Sequence, residues 1–252
     1  MTTHDKPSSP IPPTGERLSK RVAALRACSR REAEQYIEGG WVRVNGVVVE
    51  EPQHRVFDEK IEIDPGANLM ADNAVTLLLD KPADCPDGDR SVTLLCAASH
   101  FSSDPSAIRP LKRHFAGLSS LVPLETGASG LLVFTQDWRV ARKLTDDAAL
   151  LEHEYTVEVA GQVSVDTLAR LNHGLSNNAQ PLPRVKVSIN SSNDTRAKLR
   201  FAVKGAHLGL LAHLCERVSL KIVGMKRIRI GRVAMTQLPV GQWRYLLPHE
   251  RF

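Results

Sequence analysis

From residue 16 the apolar positions fall first at helical and then at alternating spacing. Leu18, Val22 and Leu25 recur every three or four residues, which predicts a helix. Ser29 is a favourable N-cap for a second helix running through Ile37, and Gly39-Gly40 ends it. "WVRVNGVVVE" then reads as two short strands around Asn45-Gly46, a strong two-residue hairpin signal. Helix, helix and hairpin within so short a span make a small module.

Further along, compact apolar runs dominate. Val75–Leu79, Leu131–Phe134, Tyr155–Val159 and Lys198–Val203 are strand-like, while "WRVARKLTDD", "SVDTLARLNHGL" and "LGLLAHLCERV" carry helical spacing. Strands outnumber helices without alternating strictly with them. The expectation is an α+β chain whose second part is mixed and largely antiparallel. The boundaries read as a disordered Pro/Ser/Thr-rich tail over 1–15, a small module over 16–62, a linker over 63–74 around a Pro-Gly turn, and a larger domain over 75–252.

Charge changes the picture at one place. From Arg17 to Arg31 the charged residues are Arg17, Lys20, Arg21, Arg26, Arg30 and Arg31, all basic, and Arg43 follows on the predicted hairpin. With a net charge of +5 and a pI near 9.1, this run points to an acidic partner. Lys20, Arg30, Arg31 and Arg43 are the candidate phosphate contacts. The four cysteines contain no C-x-x-C pair, and His207 and His213 are six residues apart, so no metal site is expected. Neither a signal peptide nor a membrane span is evident, which predicts a cytoplasmic protein with no membrane partner.

The stretches "RLSKRVA", "SRREAEQYI" and "GWVRVNG" resemble the alpha-L RNA-binding motif. Over nearly the whole length the chain resembles the bacterial ribosomal RNA pseudouridine synthases. "LLLDKPADC" is similar to their opening strand, "LETGASGLLVFTQD" to their catalytic loop, "EHEYTVEVAG" to the strand bearing the pocket tyrosine, and "GMKRIRIGRVAMTQLPVGQWRYLLPHE" to their C-terminal strands. The resemblance implies ribosomal RNA as partner, a flipped-out uridine as substrate, and no cofactor; a monomer is expected. It places Glu125 at the nucleophile position and Tyr155 at the pocket aromatic. Lys81, at a strand end, and Arg227 and Arg229, taken to share one strand face, join the candidate RNA contacts.

The pattern is broken where the chemistry sits. The family's loop reads Arg-Leu-Asp-x-x-Thr-Ser-Gly; here Pro123 stands for the Arg, Glu125 for the Asp and Ala128 for the Thr. Its Gly-x-Asn-Arg-Gln-x-Arg-Arg segment, whose arginines pair with the nucleophile, is Gly205 to Ala212 here, with every arginine gone, and its usual lysine is His153. Three readings follow. The chain binds ribosomal RNA with isomerase activity weakened or lost; or it is an active synthase using Glu125; or Leu208, Leu210 and Leu211 form an apolar surface for a protein partner in ribosome assembly.

Overall fold

The computed structural model describes residues 15–69, 74–85, 89–125, 127–177 and 180–252. The predicted tail over 1–15 falls almost entirely outside them, as does part of the predicted linker. The chain divides into two units, one ending at Asn73 and joined by Leu111–Arg113, the other formed by the remainder.

In the first unit, β1 (Glu16–Arg17) leads into α1 (Leu18–Arg26) and α2 (Arg30–Glu38). Ser29 caps α2 through a capping box: its hydroxyl accepts from the Glu32 N–H, and the Glu32 carboxylate accepts from the Ser29 N–H. β2 (Val42–Val44) and β3 (Val47–Val48) form the hairpin, with Asn45 and Gly46 both at positive φ (49° and 81°), as a two-residue type I′ turn requires. β4 (Arg55–Val56) pairs with β1, and β5 (Ile61–Ile63) with β2. Leu18, Val22, Ala33, Ile37, Val42 and Val56 form the core. Leu25, expected on the same stripe, is exposed instead.

The second unit is built on one mixed sheet. Its elements in chain order are β6 (Thr76–Lys81), α3 (Asp89–Val92), β7 (Ser119–Ser120), β8 (Ser129–Thr135), α4 (Trp138–Asp146), β9 (Glu152–Ala160), α5 (Val165–His173), β10 (Ser176–Asn177), β11 (Gln180–Pro181), β12 (Val185–Ser192), β13 (Arg196–Lys204), α6 (Leu210–Arg217), β14 (Ile222–Ile230), β15 (Val233–Ala234) and β16 (Trp243–Tyr245). The sheet runs β12-β13-β9-β14-β8-β6-β16, antiparallel throughout this path except where β14 meets β8. One face buries Tyr155, Val157, Phe201 and Leu199 against Leu171 of α5 and Leu210, Leu211 and Leu214 of α6. The other buries Leu78, Leu131, Val133 and Ile230 against Leu144 of α4.

Side-chain alternation produces this division, since odd and even positions of β8 feed opposite cores. The register of β14 against β9 shifts twice, between Ile222 and Gly224 and between Arg227 and Arg229, and the second shift bears on the site. Arg227 lies opposite Tyr155 and Arg229 opposite Glu154, neighbours on β9 whose side chains leave on opposite faces. Arg227 and Arg229 therefore do not share a face, contrary to the two-residue spacing. Among the described residues no helix is long and apolar enough to cross a membrane.

Candidate active site

Register assembles the site. Across the centre of the sheet, Lys81 of β6 pairs with Gly130 of β8, Gly130 with Arg227 of β14, Arg227 with Tyr155 of β9, and Tyr155 with Phe201 of β13. Two cations, a glycine and two aromatic rings thus lie in one transverse row on the face covered by α5 and α6. The sequence brought three of these residues forward as unrelated candidates; pairing makes them neighbours.

The row is nevertheless sealed. Arg227 is wholly buried and spends its guanidinium on backbone carbonyls: Nε and Nη2 donate to Leu131 O (2.9 and 2.7 Å), Nη2 to Val122 O (2.7 Å) and Nη1 to Pro123 O (3.0 Å). Gly130 makes this possible. Its φ is +104°, and a Cβ there would stand 2.2 Å from Arg227 O, so β8 and β14 approach closely only at a glycine. Lys81 is 1% exposed and donates to Pro82 O (3.0 Å) and Cys85 O (2.5 Å). Neither Lys81 nor Arg227 has the surface position an RNA phosphate contact needs, which corrects the sequence expectation for both. Tyr155 is 6% exposed and packs in the apolar core.

The loop that Arg227 holds carries Glu125. Its carboxylate is 8% exposed, and neither oxygen has a hydrogen-bond partner. Burial pushes its pKa above the ordinary carboxylate value. The backbone N–H groups of Leu211 and Gly209 oppose that shift without reaching hydrogen-bond geometry. They belong to the start of α6, whose N-cap, Gly209, supplies no side-chain acceptor. Burial first, and then the same carboxylate, raise the Cys215 thiol, further along α6, to about 12. Where the family places arginines, this chain presents Glu125 with peptide dipoles and leucine. Leu210 and Leu211 are core residues, so the predicted apolar surface reduces to Leu208, which is 60% exposed.

His153 is a buried group whose environment the sequence did not reveal. Its Nδ1 has no partner, and burial, then the charges of Arg227, His207 and Arg229, hold its pKa down to about 4. For a base depressed from 6.5, the stabilisation is present at neutral pH and is lost as pH falls from 6.5 toward 4, because only the unfolded chain binds the proton. The window corresponds to about 3 kcal/mol. His153→Leu is expected to flatten this part of a pH–stability profile measured by thermal unfolding; an unchanged profile would show that His153 is not the titrating group.

On the other strand face, Arg229 bonds to Glu152 (2.6 Å) and Glu154 (2.8 Å), and Arg200 also pairs with Glu154. In the first unit, Lys20 reaches Glu16 (2.8 Å) and Arg30 reaches Glu34 (3.3 Å), both as exposed i,i+4 pairs. Such pairs contribute little and exchange readily for a phosphate. Arg31 is exposed and makes no ion pair among the described residues. Arg43 donates weakly to Gly46 O at 3.4 Å and lies opposite Glu62.

Comparison with known proteins agrees with both units. Residues 16–56 match the S4 domain. Over 238 residues the chain is 28% identical to an uncharacterized RNA pseudouridine synthase of Aquifex aeolicus, covering 93% of this chain and 94% of the relative. It is 27% identical to ribosomal large subunit pseudouridine synthase B of Bacillus subtilis, covering 93% of each. The enzyme of that name from Pseudomonas aeruginosa is 27% identical over 98% of this chain, which spans 64% of that longer protein. A solved pseudouridylate synthase shares the fold, with a TM-score of 0.53 at 19% identity, covering 91% of this chain and 95% of the other. An S4 domain thus precedes a domain with the pseudouridine-synthase fold, and the homologues are named as synthases.

Proposed function

We propose that this homologue of the ribosomal RNA pseudouridine synthases binds structured ribosomal RNA through its S4 domain, with uridine-to-pseudouridine isomerase activity weakened or lost. The carrying observation is the Glu125 carboxylate, buried with neither oxygen partnered. A nucleophilic or basic carboxylate must be ionised and aimed, and a neighbouring cation does both. Burial here favours the neutral acid, and the arginines that would oppose it are absent from Gly205 to Ala212. Glu also places its carboxylate one methylene further out than Asp, and a displacement of about 1 Å can lower a rate on the order of a hundredfold.

The deciding experiment is incubation of purified protein with ribosomal RNA fragments and mapping of the product. No pseudouridine above background is expected. Modification that disappears in Glu125→Ala would overturn the reading and establish Glu125 as the nucleophile of an active synthase.

RNA binding is expected to be independent of that outcome. Arg30→Ala with Arg31→Ala should weaken binding to a structured ribosomal RNA fragment and lower the salt slope by about two counterions. Titration at several salt concentrations measures this; an unaltered affinity and slope would remove the α1–α2 junction from the binding surface.

A further inference from the structure

The two strands at the open edge of the second unit, β12 and β13, carry a segregated charge pattern. Their core-facing positions, Val185, Val187, Ala197, Leu199, Phe201 and Val203, are all buried. The alternate positions include Lys186, Arg196, Lys198, Arg200 and Lys204, all exposed. These cations share their strands with no acidic residue. The acids of this face lie on β9: Glu158, opposite Lys198, pairs with Arg196 (2.7 Å), Glu152, opposite Lys204, pairs with Arg229, and Glu154 pairs with Arg200 and Arg229. Lys186, Lys198 and Lys204 make no ion pair among the described residues.

At one residue the edge is covered by α5: Asn172 accepts from Val187 N and donates to Val187 O, both at 2.8 Å. What remains open is the charged face. Side chains two apart on a strand are separated by about 6.8 Å. On β13 the outward cations Arg196, Lys198 and Arg200 follow one another at that spacing, and Lys204 continues the column beyond Ala202. The outward positions named here include no aromatic side chain on which a base could stack.

We propose that the outward face of β12 and β13 is a second RNA contact, one that grips phosphate backbone without reading sequence. The inference rests on the RNA-binding function proposed above and adds a surface to it. An acidic protein segment is the competing occupant, and the test separates the two.

The experiment uses the full chain, a structured ribosomal RNA fragment and poly-glutamate as a protein-like polyanion. Lys186→Gln, Lys198→Gln and Lys204→Gln are combined; all three positions are exposed, so the fold should tolerate them. Three lost phosphate contacts correspond to a slope change of about 2.7 in log affinity against log salt, or about 40-fold between 50 and 200 mM. The glutamine triple should show that loss, while Lys→Arg at the same positions should retain wild-type behaviour. Unchanged RNA affinity and slope would overturn the inference, as would loss of poly-glutamate binding with RNA binding intact. Because Arg30→Ala with Arg31→Ala reports on the S4 domain independently, a slope that falls only in that double variant leaves the S4-domain reading standing and sinks this one.

Discussion

Arg227→Met should destabilise the second unit by on the order of 3–5 kcal/mol while leaving apolar packing nearly intact. Methionine fills much of the same space but donates no hydrogen bond. Leu131 O, Val122 O and Pro123 O would lose their charged donor together. A buried acceptor left unsatisfied costs about 1–3 kcal/mol, and three share this donor. Arg229→Met is the control. Of its partners, Glu154 keeps Arg200 and Glu152 is solvent-accessible, so the loss should stay below about 1 kcal/mol. Chemical denaturation gives both values, and hydrogen exchange should show the 122–125 loop opening only in Arg227→Met. Equal effects of the two substitutions would remove Arg227 from its role as the clamp on that loop.

That contrast shows where the sequence was legible. Helix caps and turns are local, so Ser29, Gly39 and Asn45-Gly46 could be read directly and the α1–α2–hairpin module emerged with them. The apolar runs located β6, β8, β9 and β13, because burial on a sheet face leaves a compositional trace. Lys81 looked like an ordinary basic residue at a strand end, and Arg227 like one of a basic run along a strand. Their burial depends on carbonyls of other segments and on a glycine opposite, none of which leaves a periodic signal. The bulge between Arg227 and Arg229 was invisible for the same reason, since one inserted residue reverses which face a side chain takes.

The candidate site divides along the same line. Glu125, Tyr155 and the missing arginines were visible as departures from a resembled pattern. What fills the vacated place was not, because Leu210 and Leu211, read from the sequence as part of an apolar surface, are buried. Their burial turns the start of α6 from a cationic wall into apolar packing with two backbone N–H groups turned toward Glu125.

Glu125→Gln is therefore expected to stabilise the protein in a pH-dependent way. An acid whose folded pKa is raised contributes stability below its unfolded value, 4.5, and loses it as pH rises through the folded value. As pH rises through the folded value the wild type comes to hold a buried, unpartnered carboxylate, so the neutral amide should gain in relative stability with rising pH, by about 1–3 kcal/mol once the acid is ionised; at about pH 4 the two should coincide. RNA affinity should not change. The same logic makes Leu211→Arg a probe of the lost pairing. A guanidinium at this 2% exposed position is costly when unpaired, but a neighbouring carboxylate would offset much of the cost. Leu211→Arg should accordingly be far better tolerated in the chain that keeps Glu125 than in combination with Glu125→Gln, a coupling of about 2–3 kcal/mol in a double-mutant cycle. Additive effects in that cycle would mean that the carboxylate and the start of α6 do not face one another, and the electrostatic case for a weakened isomerase would fall with them.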